Sequence, residues 1–483
     1  MRNGARTNRE GSNRAGSNRA GSTRGSASAL AAPPETARGL AIDALVRIEG
    51  GAYSNVLVPE LLRGSKLSVR DRAFATDLVY GTLRRQRSLD WLLARSLRRP
   101  LLGLDAVTRA ALRIGAYQLL NGVAVHAAVS ETVDAVGARQ DRSRALVNAV
   151  LRSTSRLGPD WPWPGGDASE RSVDAIGVRT SHPDWIVELL ADAFGWSDAL
   201  ATLEAANVAG ALTLRVEMDR ASPDQVRAEL EEIGATVEAG SFVRNALVVG
   251  GAGDTGRLGA VAEGRATPQD QTSQAVVELL DVQPGNRVLE VGAAPGGKAT
   301  GIAARVAPSG VVVALDVHPM RARRITTAAR RLQRTNLDVI VADGRALPFS
   351  PAARFDRILI DAPCSGLGVL RRRAEARWRI TPRDVTDLAA LQRELLAAAA
   401  PFLASGGRLL YSVCTLTIPE TREVDEWAAD ALPHLVACPP PGGPWRNWGR
   451  GAILLPGDAG TDGMYVLILG TGAATEGVHA VAG

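Results

Sequence analysis

The stretch that decides the fold is residues 288–298, which read VLEVGAAPGGK. A short apolar strand here enters a glycine-rich turn that opens a helix, and such a turn lets the backbone approach a ligand closely. Asp316 lies 19 residues beyond Gly297, a spacing that suits a carboxylate bound to a ribose diol. The loop lacks the G-x-G-x-x-G pattern, and Pro295 removes a backbone donor where a pyrophosphate needs one. The stretch therefore favours an adenosyl ligand without phosphates.

Outward from this loop, short β-rich runs alternate with helical stretches from about Thr267 to the end of the chain. This alternation predicts an α/β fold with a largely parallel, doubly wound sheet, whose ligands bind at the carboxyl ends of the strands. The predicted strands are Arg287–Val291, Val311–Leu315, Asp338–Ala342, Arg357–Ile360, Arg408–Ser412 and Tyr465–Leu469. Four carboxylates stand at or near the ends of these strands: Glu290, Asp316, Asp343 and Asp361.

Two of the chain's three cysteines also follow strands of this predicted sheet. Cys364 lies in DAPCSG, residues 361–366, and Cys414 lies in YSVCT, residues 411–415. We therefore expect both thiols at the same edge as the loop, where a thiolate can act as a nucleophile. The residue types alone do not say which cysteine attacks. Cys438 is expected to be a buried, small apolar residue.

Two other side chains at this edge have candidate binding roles. Lys298 is one of only two lysines in the chain, and its compact ammonium group is expected to contact a cofactor or a substrate. Asp343 follows the third strand, where its carboxylate can accept a hydrogen bond from an adenine amine. A helix N-cap is the alternative role for Asp343.

Composition excludes several classes of protein. The 483 residues are 46% hydrophobic and 22% charged, which suits globular domains, and no apolar run approaches the ~18 residues of a membrane span. Three cysteines and the lack of an apolar signal segment predict a cytoplasmic protein. Residues 1–35 hold six arginines and two glutamates, so they supply +4 of the net charge of +5. Nearly all of the basic residues are arginines, which indicates a general compositional bias. The number of arginines alone therefore says little about RNA binding.

Domain boundaries follow from composition and periodicity. Residues 1–34 carry a GSNRA repeat and little apolar surface, so a disordered basic tail is expected there. Apolar residues at helical spacing predict an all-α domain at 35–158, and a stretch rich in Pro and Trp begins a linker at 159–180. The remaining expected units are a small α/β subdomain at 181–264, the large sheet domain at 265–473 and a tail at 474–483.

These motifs resemble the RNA cytosine-5 methyltransferases of the Nop/Sun family. The match runs from Pro268 to Leu469 through GAAPGGK, ALD, ADGR, DAPCSG, RRRAEARW (371–378), YSVCT and DGMY (462–465). Residues 129–133 and 146–152 are similar to the NusB-type RNA-binding domain. The resemblance implies a Rossmann-like S-adenosylmethionine-dependent methyltransferase core, with an N-terminal NusB-like domain and the small subdomain between them. The family often has Cys where Gly292 stands and Pro where Ala374 stands.

The resemblance also implies an activity: methylation of C5 of a cytidine in 16S ribosomal RNA through a covalent cysteine–C6 intermediate. By resemblance Cys414 is the nucleophile, and Cys364 assists its release. Asp361 is expected to hydrogen-bond the base around N3 and N4, and Lys298 completes the catalytic set. In DNA cytosine methyltransferases the Pro-Cys cysteine attacks, which here would be Cys364, so the choice of Cys414 depends on the YSVCT match.

For S-adenosylmethionine, the resemblance implies contacts from the loop and from three carboxylates. The expected cofactor-binding residues are Gly292, Ala293, Ala294, Pro295, Gly296, Gly297, Lys298, Asp316, Asp343 and Asp361. Within this set, Asp316 is assigned to the ribose hydroxyls, Asp343 to adenine, and Asp361 to the border between methyl donor and base. A second expected group holds the RNA strand by charge and stacking: Arg371, Arg372, Arg373, Arg377 and Trp378. A solvated loop is the alternative for that segment.

Two other functions remain open from the sequence. The first is a transfer RNA methyltransferase with the same chemistry, since substrate identity is not written in the catalytic motifs. The second is a non-catalytic RNA-binding factor built from the NusB-like domain. A nicotinamide-dependent oxidoreductase is disfavoured, because it leaves both cysteines unexplained. RNA is the expected partner, and the chain is expected to be a monomer. Neither a bound metal nor a membrane is expected.

Overall fold

A computed structural model describes residues 36–165, 172–253 and 255–472 of the chain. The tails expected at 1–34 and 474–483 therefore lie outside the described residues. The described part contains a helical bundle, a small four-stranded sheet and a large sheet with helices on both faces. None of its helices is long and apolar enough to cross a bilayer.

The bundle confirms the predicted all-α region. Several of its helices begin at residues whose side chains accept a hydrogen bond from the first turn, as Thr36, Ser68 and Asp105 do. Their apolar faces meet in one buried core, which includes Leu78, Ile114 and other large side chains. Within residues 36–165 the α-helices are α1 (Ala37–Glu49), α2 (Ser54–Gly64), α3 (Val69–Arg84), α4 (Gln86–Ala94), α5 (Ala106–Leu120), α6 (Val125–Gly137) and α7 (Arg144–Ser155).

Part of the expected linker at 159–180 is helical. The next two helices are α8 (Val173–Thr180) and α9 (Asp184–Ala205), and α9 is kinked at Gly195, where φ is +77°. The helix α8 joins the bundle, because Ser88 of α4 donates a hydrogen bond to the carbonyl oxygen of Val178 at 2.6 Å. This half of the segment is therefore a packed element rather than an extended connection.

The small subdomain is an antiparallel sheet with strand order β2-β3-β1-β4. Its helix α10 begins in a capping box, in which Ser222 and Gln225 satisfy each other's backbone N–H groups. The elements are β1 (Leu212–Val216), α10 (Pro223–Glu232), β2 (Thr236–Ala239), β3 (Ala246–Gly250), α11 (Gly259–Ala262) and β4 (Ala266–Pro268).

The large sheet confirms the predicted α/β fold. Its elements are α12 (Gln271–Leu279), β5 (Arg287–Val291), α13 (Gly297–Val306), β6 (Val311–Asp316), α14 (Pro319–Arg331), β7 (Leu337–Val341), β8 (Phe355–Asp361), α15 (Pro382–Ala399), β9 (Leu403–Val413), α16 (Arg422–Ala431), β10 (Leu435–Ala437), β11 (Arg446–Trp448), β12 (Gly451–Leu454), α17 (Pro456–Ala459) and β13 (Met464–Thr471). The strand order is β11-β12-β13-β9-β8-β5-β6-β7, and β10 pairs with β13. All six predicted strands form.

Strands β7, β6, β5, β8 and β9 are parallel, while β13 runs antiparallel to β9. Side chains alternate between two helical layers: Leu289 and Val291 face α15 and α16, and Val288 faces α12, α13 and α14. The register pairs Val291 with Ile360, and Asp361 with Ser412. The carboxyl ends of the central strands therefore meet at one edge, as the sequence predicts.

The segment Arg371–Trp378 contradicts the sequence-based expectation. It was expected either to hold RNA or to be a solvated loop, but Arg377 is fully buried, with 0% of its surface exposed. Its guanidinium donates to the carbonyl oxygens of Arg84 at 3.3 Å, Ser181 at 3.2 Å and Ala206 at 3.1 Å. These carbonyls lie at the C-terminal ends of α3, α8 and α9, where a cation is electrostatically favoured. Arg377 therefore ties the bundle to the large sheet domain.

Most neighbours of Arg377 in this segment are also engaged in contacts, either within the large sheet domain or with the bundle. Arg372 forms ion pairs with Asp270 at 2.7 Å and Asp462 at 2.8 Å. The indole N–H of Trp378 donates to the carbonyl oxygen of Leu83 at 2.8 Å, so that ring is also engaged. Ala374 packs into the core of the bundle. The exception is Arg373, which is exposed.

Candidate active site

The loop between β5 and α13 is held by both neighbouring strands. The backbone N–H groups of Gly292 and Ala293 donate to the carbonyl oxygen of Leu315 at 2.9 and 3.0 Å. Gly292 has a φ of +79°, and a Cβ there would lie 2.3 Å from the carbonyl oxygen of Asp361. A residue with a side chain would therefore not fit at position 292 in this backbone.

The first turn of α13 is also supported by the small subdomain. Arg215 of β1 hydrogen-bonds the carbonyl oxygen of Gly297, and its guanidinium lies 3.1 Å from Oγ1 of Thr300. Glu217 pairs with Arg215 at 2.6 Å and fixes its orientation. Sequence reasoning missed Arg215, because a lone arginine on a strand of another unit gives no local signal.

Asp316 and Asp343 both lie at the predicted edge, but their surroundings differ. Asp316 is buried, and its Oδ1 accepts a hydrogen bond from the backbone N–H of His318 at 3.0 Å. Its Oδ2 lies 3.3 Å from Nη2 of Arg321. Asp343 is half-exposed and bonded by Arg345, whose side chain lowers the pKa of this carboxyl group. The paired arginines Arg321 and Arg345 are themselves about half-exposed.

Three apolar side chains at the same edge are exposed. Val317 and Met320 follow β6, Val341 ends β7, and their exposed fractions are 51%, 68% and 51%. Exposed apolar groups beside a cleft are typical of ligand-binding surfaces. These residues were not singled out in the sequence, because single apolar residues after strands are common.

Lys298 and Asp361 form an ion pair at the centre of this edge. Nζ of Lys298 lies 2.7 Å from Oδ2 of Asp361, and the Ser412 hydroxyl donates to Oδ1 at 3.2 Å. Burial opposes the charge of the ammonium group, but Asp361 and, to a smaller extent, Glu290 and Cys414 raise the pKa of Lys298 above its ordinary value. Lys298 therefore remains a cation next to the cysteines at neutral pH.

Glu290 lies behind this ion pair on β5. It is fully buried, and neither carboxylate oxygen has a hydrogen-bond partner among the described residues. Burial, followed by the negative charge of Asp361, raises the pKa of Glu290 well above its ordinary value. The surroundings of Glu290 thus favour the protonated form of its carboxyl group.

The two cysteines meet as the sequence predicts. Cys364 and Cys414 are half-buried, and their Sγ atoms lie 3.3 Å apart. The hydrogen bond with Cys364 lowers the pKa of Cys414, and the positive charges of Arg373 and Lys298 lower it further. Burial and the negative charge of Asp361 raise the pKa of Cys414 and oppose these effects. The same hydrogen bond, burial and the nearby negative charge of Glu420 raise the pKa of Cys364 well above its ordinary value.

Cys438 lies apart from this pair. It is buried in the apolar core that also contains Val288 and Ile302, as expected, and burial raises the pKa of its thiol. Glu420, by contrast, was not singled out in the sequence although it is fully buried beside the two cysteine loops. A carboxylate that follows Cys414 by six residues has no recognisable motif of its own.

Comparison with known proteins gives the same division into three units. The profile of the 16S rRNA methyltransferase RsmB/F family matches residues 277–469, and that of the NusB family matches residues 35–156. A third profile, the ferredoxin-like domain of RsmF/B-like methyltransferases, matches residues 182–255.

Whole-chain similarity extends over all three units. The chain is 34% identical to the probable ribosomal RNA small subunit methyltransferase B of Bacillus subtilis, over 80% of this chain and 86% of that protein. It is 36% identical to the ribosomal RNA small subunit methyltransferase B of Pseudomonas putida, over 78% of this chain and 85% of that one. The crystal structure of PH0851 has the same fold, with a TM-score of 0.78 and 24% identity over 92% of this chain and 100% of the other. The chain therefore belongs to the RsmB/F family of 16S rRNA methyltransferases.

Proposed function

We propose that this chain methylates C5 of a cytidine in 16S ribosomal RNA, with S-adenosylmethionine as the methyl donor. The observation that carries the proposal is the cysteine pair, whose sulfur atoms lie 3.3 Å apart beside the Lys298–Asp361 ion pair. A methyltransferase acting on an oxygen or an exocyclic nitrogen has no need for two thiols. The relatives named above are ribosomal RNA small subunit methyltransferases, which supports the choice of substrate.

The residues at the edge fit an adenosyl ligand. The proposed set is the loop Gly292–Lys298 along methionine and ribose, Asp316 at the ribose hydroxyls, and Asp343 near adenine. The exposed apolar groups of Val317, Met320 and Val341 suit the faces of a purine ring. When bound, S-adenosylmethionine supplies the methyl group.

Cys414 is the proposed nucleophile because the charges around the two thiols differ. Arg373 and Lys298 place positive charge near Cys414, offset in part by the negative charge of Asp361, whereas Glu420 places negative charge near Cys364. The thiolate is therefore favoured on Cys414. Cytosine C5 is a poor nucleophile, and addition of this thiolate to C6 moves an electron pair to C5, which can then accept a methyl group.

Cys364 is proposed to assist the release step. As a neutral thiol it hydrogen-bonds the Cys414 thiolate, and the charge of that thiolate is one reason for the raised pKa of Cys364. Once the Cys414 sulfur is bonded to C6 this charge is gone, so the Cys364 pKa falls and the thiolate becomes accessible as a base. Loss of the C5 proton then reforms the C5–C6 double bond, as the electrons of the C6–S bond return to Cys414.

Asp361 is proposed to orient the base. Its two oxygens are held by Lys298 and Ser412, so the carboxylate lies in a fixed position between the loop and the cysteines. From there it borders both the expected methyl donor and the N3/N4 edge of a cytosine. The target nucleotide must be unstacked to present its face, so a cytidine in a single-stranded or loop region is expected.

The test is methylation of unmodified RNA by the full chain. Purified protein is incubated with labelled S-adenosylmethionine and either 16S ribosomal RNA or transfer RNA, and the products are mapped for 5-methylcytidine. The proposal predicts one modified cytidine in 16S RNA. Activity on transfer RNA alone would keep the chemistry and overturn the substrate, whereas RNA binding without methyl transfer would favour a non-catalytic RNA-binding factor.

A further inference from the structure

Glu420 accepts an unusual number of hydrogen bonds for a buried carboxylate. Its Oε1 accepts from the backbone N–H of Ser365 at 2.8 Å and from Nε2 of Gln392 at 3.0 Å. Its Oε2 is contacted by three hydroxyl groups: Ser365 at 2.5 Å, Thr417 at 2.8 Å and Thr415 at 3.1 Å. All of these groups are neutral, so Glu420 forms hydrogen bonds rather than an ion pair here. The groups come from several segments, and Glu420 connects those segments.

Except for Gln392, which lies on α15, these donors belong to the two loops that carry the cysteines. Ser365 directly follows Cys364, while Thr415 directly follows Cys414. The hydroxyl groups of Ser365 and Thr415 also lie 2.6 Å from each other. One buried carboxylate therefore fixes the residue next to each thiol, and the position of one loop depends on the position of the other.

A second layer of contacts fixes Glu420 itself. Gln392 of α15 also donates to the carbonyl oxygen of Pro363, at 2.8 Å, so it holds the Cys364 loop from the other side. The Tyr411 hydroxyl lies 2.7 Å from the carbonyl oxygen of Glu420 and 2.9 Å from Oε1 of Gln392. Glu420, Gln392 and Tyr411 are all buried, so each lost partner leaves a polar group unsatisfied away from water.

We propose that Glu420 is the positioning residue that sets the spacing between Cys364 and Cys414. The proposal rests on the proposed function, because it assigns the cysteines as the reacting groups. Glu420 is not placed against substrate or cofactor; it acts through Ser365 and Thr415. Loss of the carboxylate lets the two loops move independently, so both the contact between the sulfurs and the approach of Cys414 to a base deteriorate.

The sulfur-to-sulfur contact allows a test that needs no RNA. Diamide oxidises two neighbouring thiols to a disulfide and is itself reduced to the hydrazine, taking up the two protons and two electrons that the thiols lose. We expect rapid formation of the Cys364–Cys414 disulfide in the wild-type chain, followed by peptide mass spectrometry. In Glu420→Ala the rate should fall by about tenfold, the scale set by leaving buried donors unpaired. Glu420→Gln keeps two acceptor contacts on Oε1 and should stay within about threefold of wild type.

A matched control separates positioning from general destabilisation. Asp425 is a buried carboxylate on α16 that accepts from the backbone N–H of Arg450 at 2.8 Å and pairs with its side chain, away from the cysteine loops. Asp425→Ala should lower the melting temperature without changing the rate of disulfide formation. If Glu420→Ala does not fold, Thr417→Val removes one donor of the network and should slow the reaction by about threefold.

Methyl transfer provides the second readout. Glu420→Ala should lower kcat while leaving the affinity for S-adenosylmethionine unchanged, because Glu420 does not contact the loop Gly292–Lys298. A folded Glu420→Ala that forms the disulfide at the wild-type rate, an unaltered rate in Thr417→Val, or a wild-type chain that forms no such disulfide would each overturn the proposal. The disulfide result is independent of catalysis, so failure of the chain to methylate RNA would overturn the proposed function alone.

Discussion

Two regions of the large sheet domain are rich in reactive or charged side chains. One region presents them at the surface, and the other buries most of them. At the cysteine edge, defined as the carboxyl ends of β8 and β9 with Cys364 and Cys414, reactive side chains reach a half-exposed surface. In the segment Arg371–Trp378, a run of arginines turns mostly inward. Arg377 is the clearest case: it is fully buried, and burial with the nearby charges of Arg84 and Arg85 lowers its pKa to about 9.

A sequence motif is a reliable guide to position at the ends of parallel strands and a poor one on an irregular segment. Side chains at the ends of parallel strands share one edge because the backbone hydrogen bonds demand it, whatever surrounds them. The position of an arginine on an irregular segment depends on partners far away in the chain, such as the helix ends that Arg377 binds. A positive charge is compatible with both RNA and a helix C-terminus, so composition does not distinguish the two roles.

The largest expected effect lies at the cysteine edge. Replacing Cys414 by Ala removes the proposed nucleophile, and methyl transfer to 16S RNA should fall by at least about 10³-fold. Stability should change little, because the thiol is half-buried and holds no charge network together. The check is single-turnover methylation beside thermal unfolding. Retained activity in Cys414→Ala would remove the distinction between the two regions.

The next effect is on stability and lies in the arginine segment. Arg377→Met leaves the buried carbonyl groups at three helix ends without a donor, so the free energy of unfolding should drop by about 3 kcal/mol or more. Urea unfolding measures this loss, and Arg383→Met is the control, because Arg383 is exposed on α15 and its loss should cost less than about 0.5 kcal/mol. An unchanged stability for Arg377→Met, combined with weaker RNA binding, would restore the original interpretation of the segment.

A smaller effect concerns the pH at which each thiol reacts. The Cys414 pKa is lowered and the Cys364 pKa is raised, so iodoacetamide should alkylate Cys414 first as the pH is increased. The hydrogen bond from Cys364 is the largest cause of the lowered pKa, so Cys364→Ala should shift the alkylation profile of Cys414 to higher pH. Mass spectrometry of alkylated peptides reads both profiles. Preferential alkylation of Cys364 in the wild-type chain would reverse the proposed roles.

The smallest effect is on RNA binding and should distinguish two neighbouring arginines of the segment Arg371–Trp378. Arg372 is paired with two carboxylates, whereas Arg373 is exposed near Cys414. Arg373→Ala should reduce the salt dependence of RNA binding by about 0.7 in the log–log slope, the value for one phosphate contact on a single strand. Arg372→Ala should leave that slope unchanged. Equal slopes for both variants would show that exposure does not separate RNA-facing arginines from structural ones.

Much of this architecture could be predicted from the chain alone. All six predicted strands form, since alternating apolar runs and helices encode them locally, and the register brings Asp361 and Ser412 side by side. The short antiparallel strands β10–β12 escaped prediction because three or four residues give no periodic signal. Arg215 and Glu420 could not be predicted for another reason. Each acts on the site through contacts that only tertiary packing creates, with residues that are distant in sequence or lie on other segments.

The most direct test of the account is covalent trapping of RNA. Unmodified 16S RNA and S-adenosylmethionine are incubated with wild type, Cys414→Ala and Cys364→Ala, and the products are separated on a denaturing gel. We expect Cys364→Ala to accumulate a protein–RNA adduct, linked through Cys414, because attack proceeds and release is impaired. Cys414→Ala should form none. An adduct in Cys414→Ala, linked through Cys364, would contradict the assignment of the two thiols.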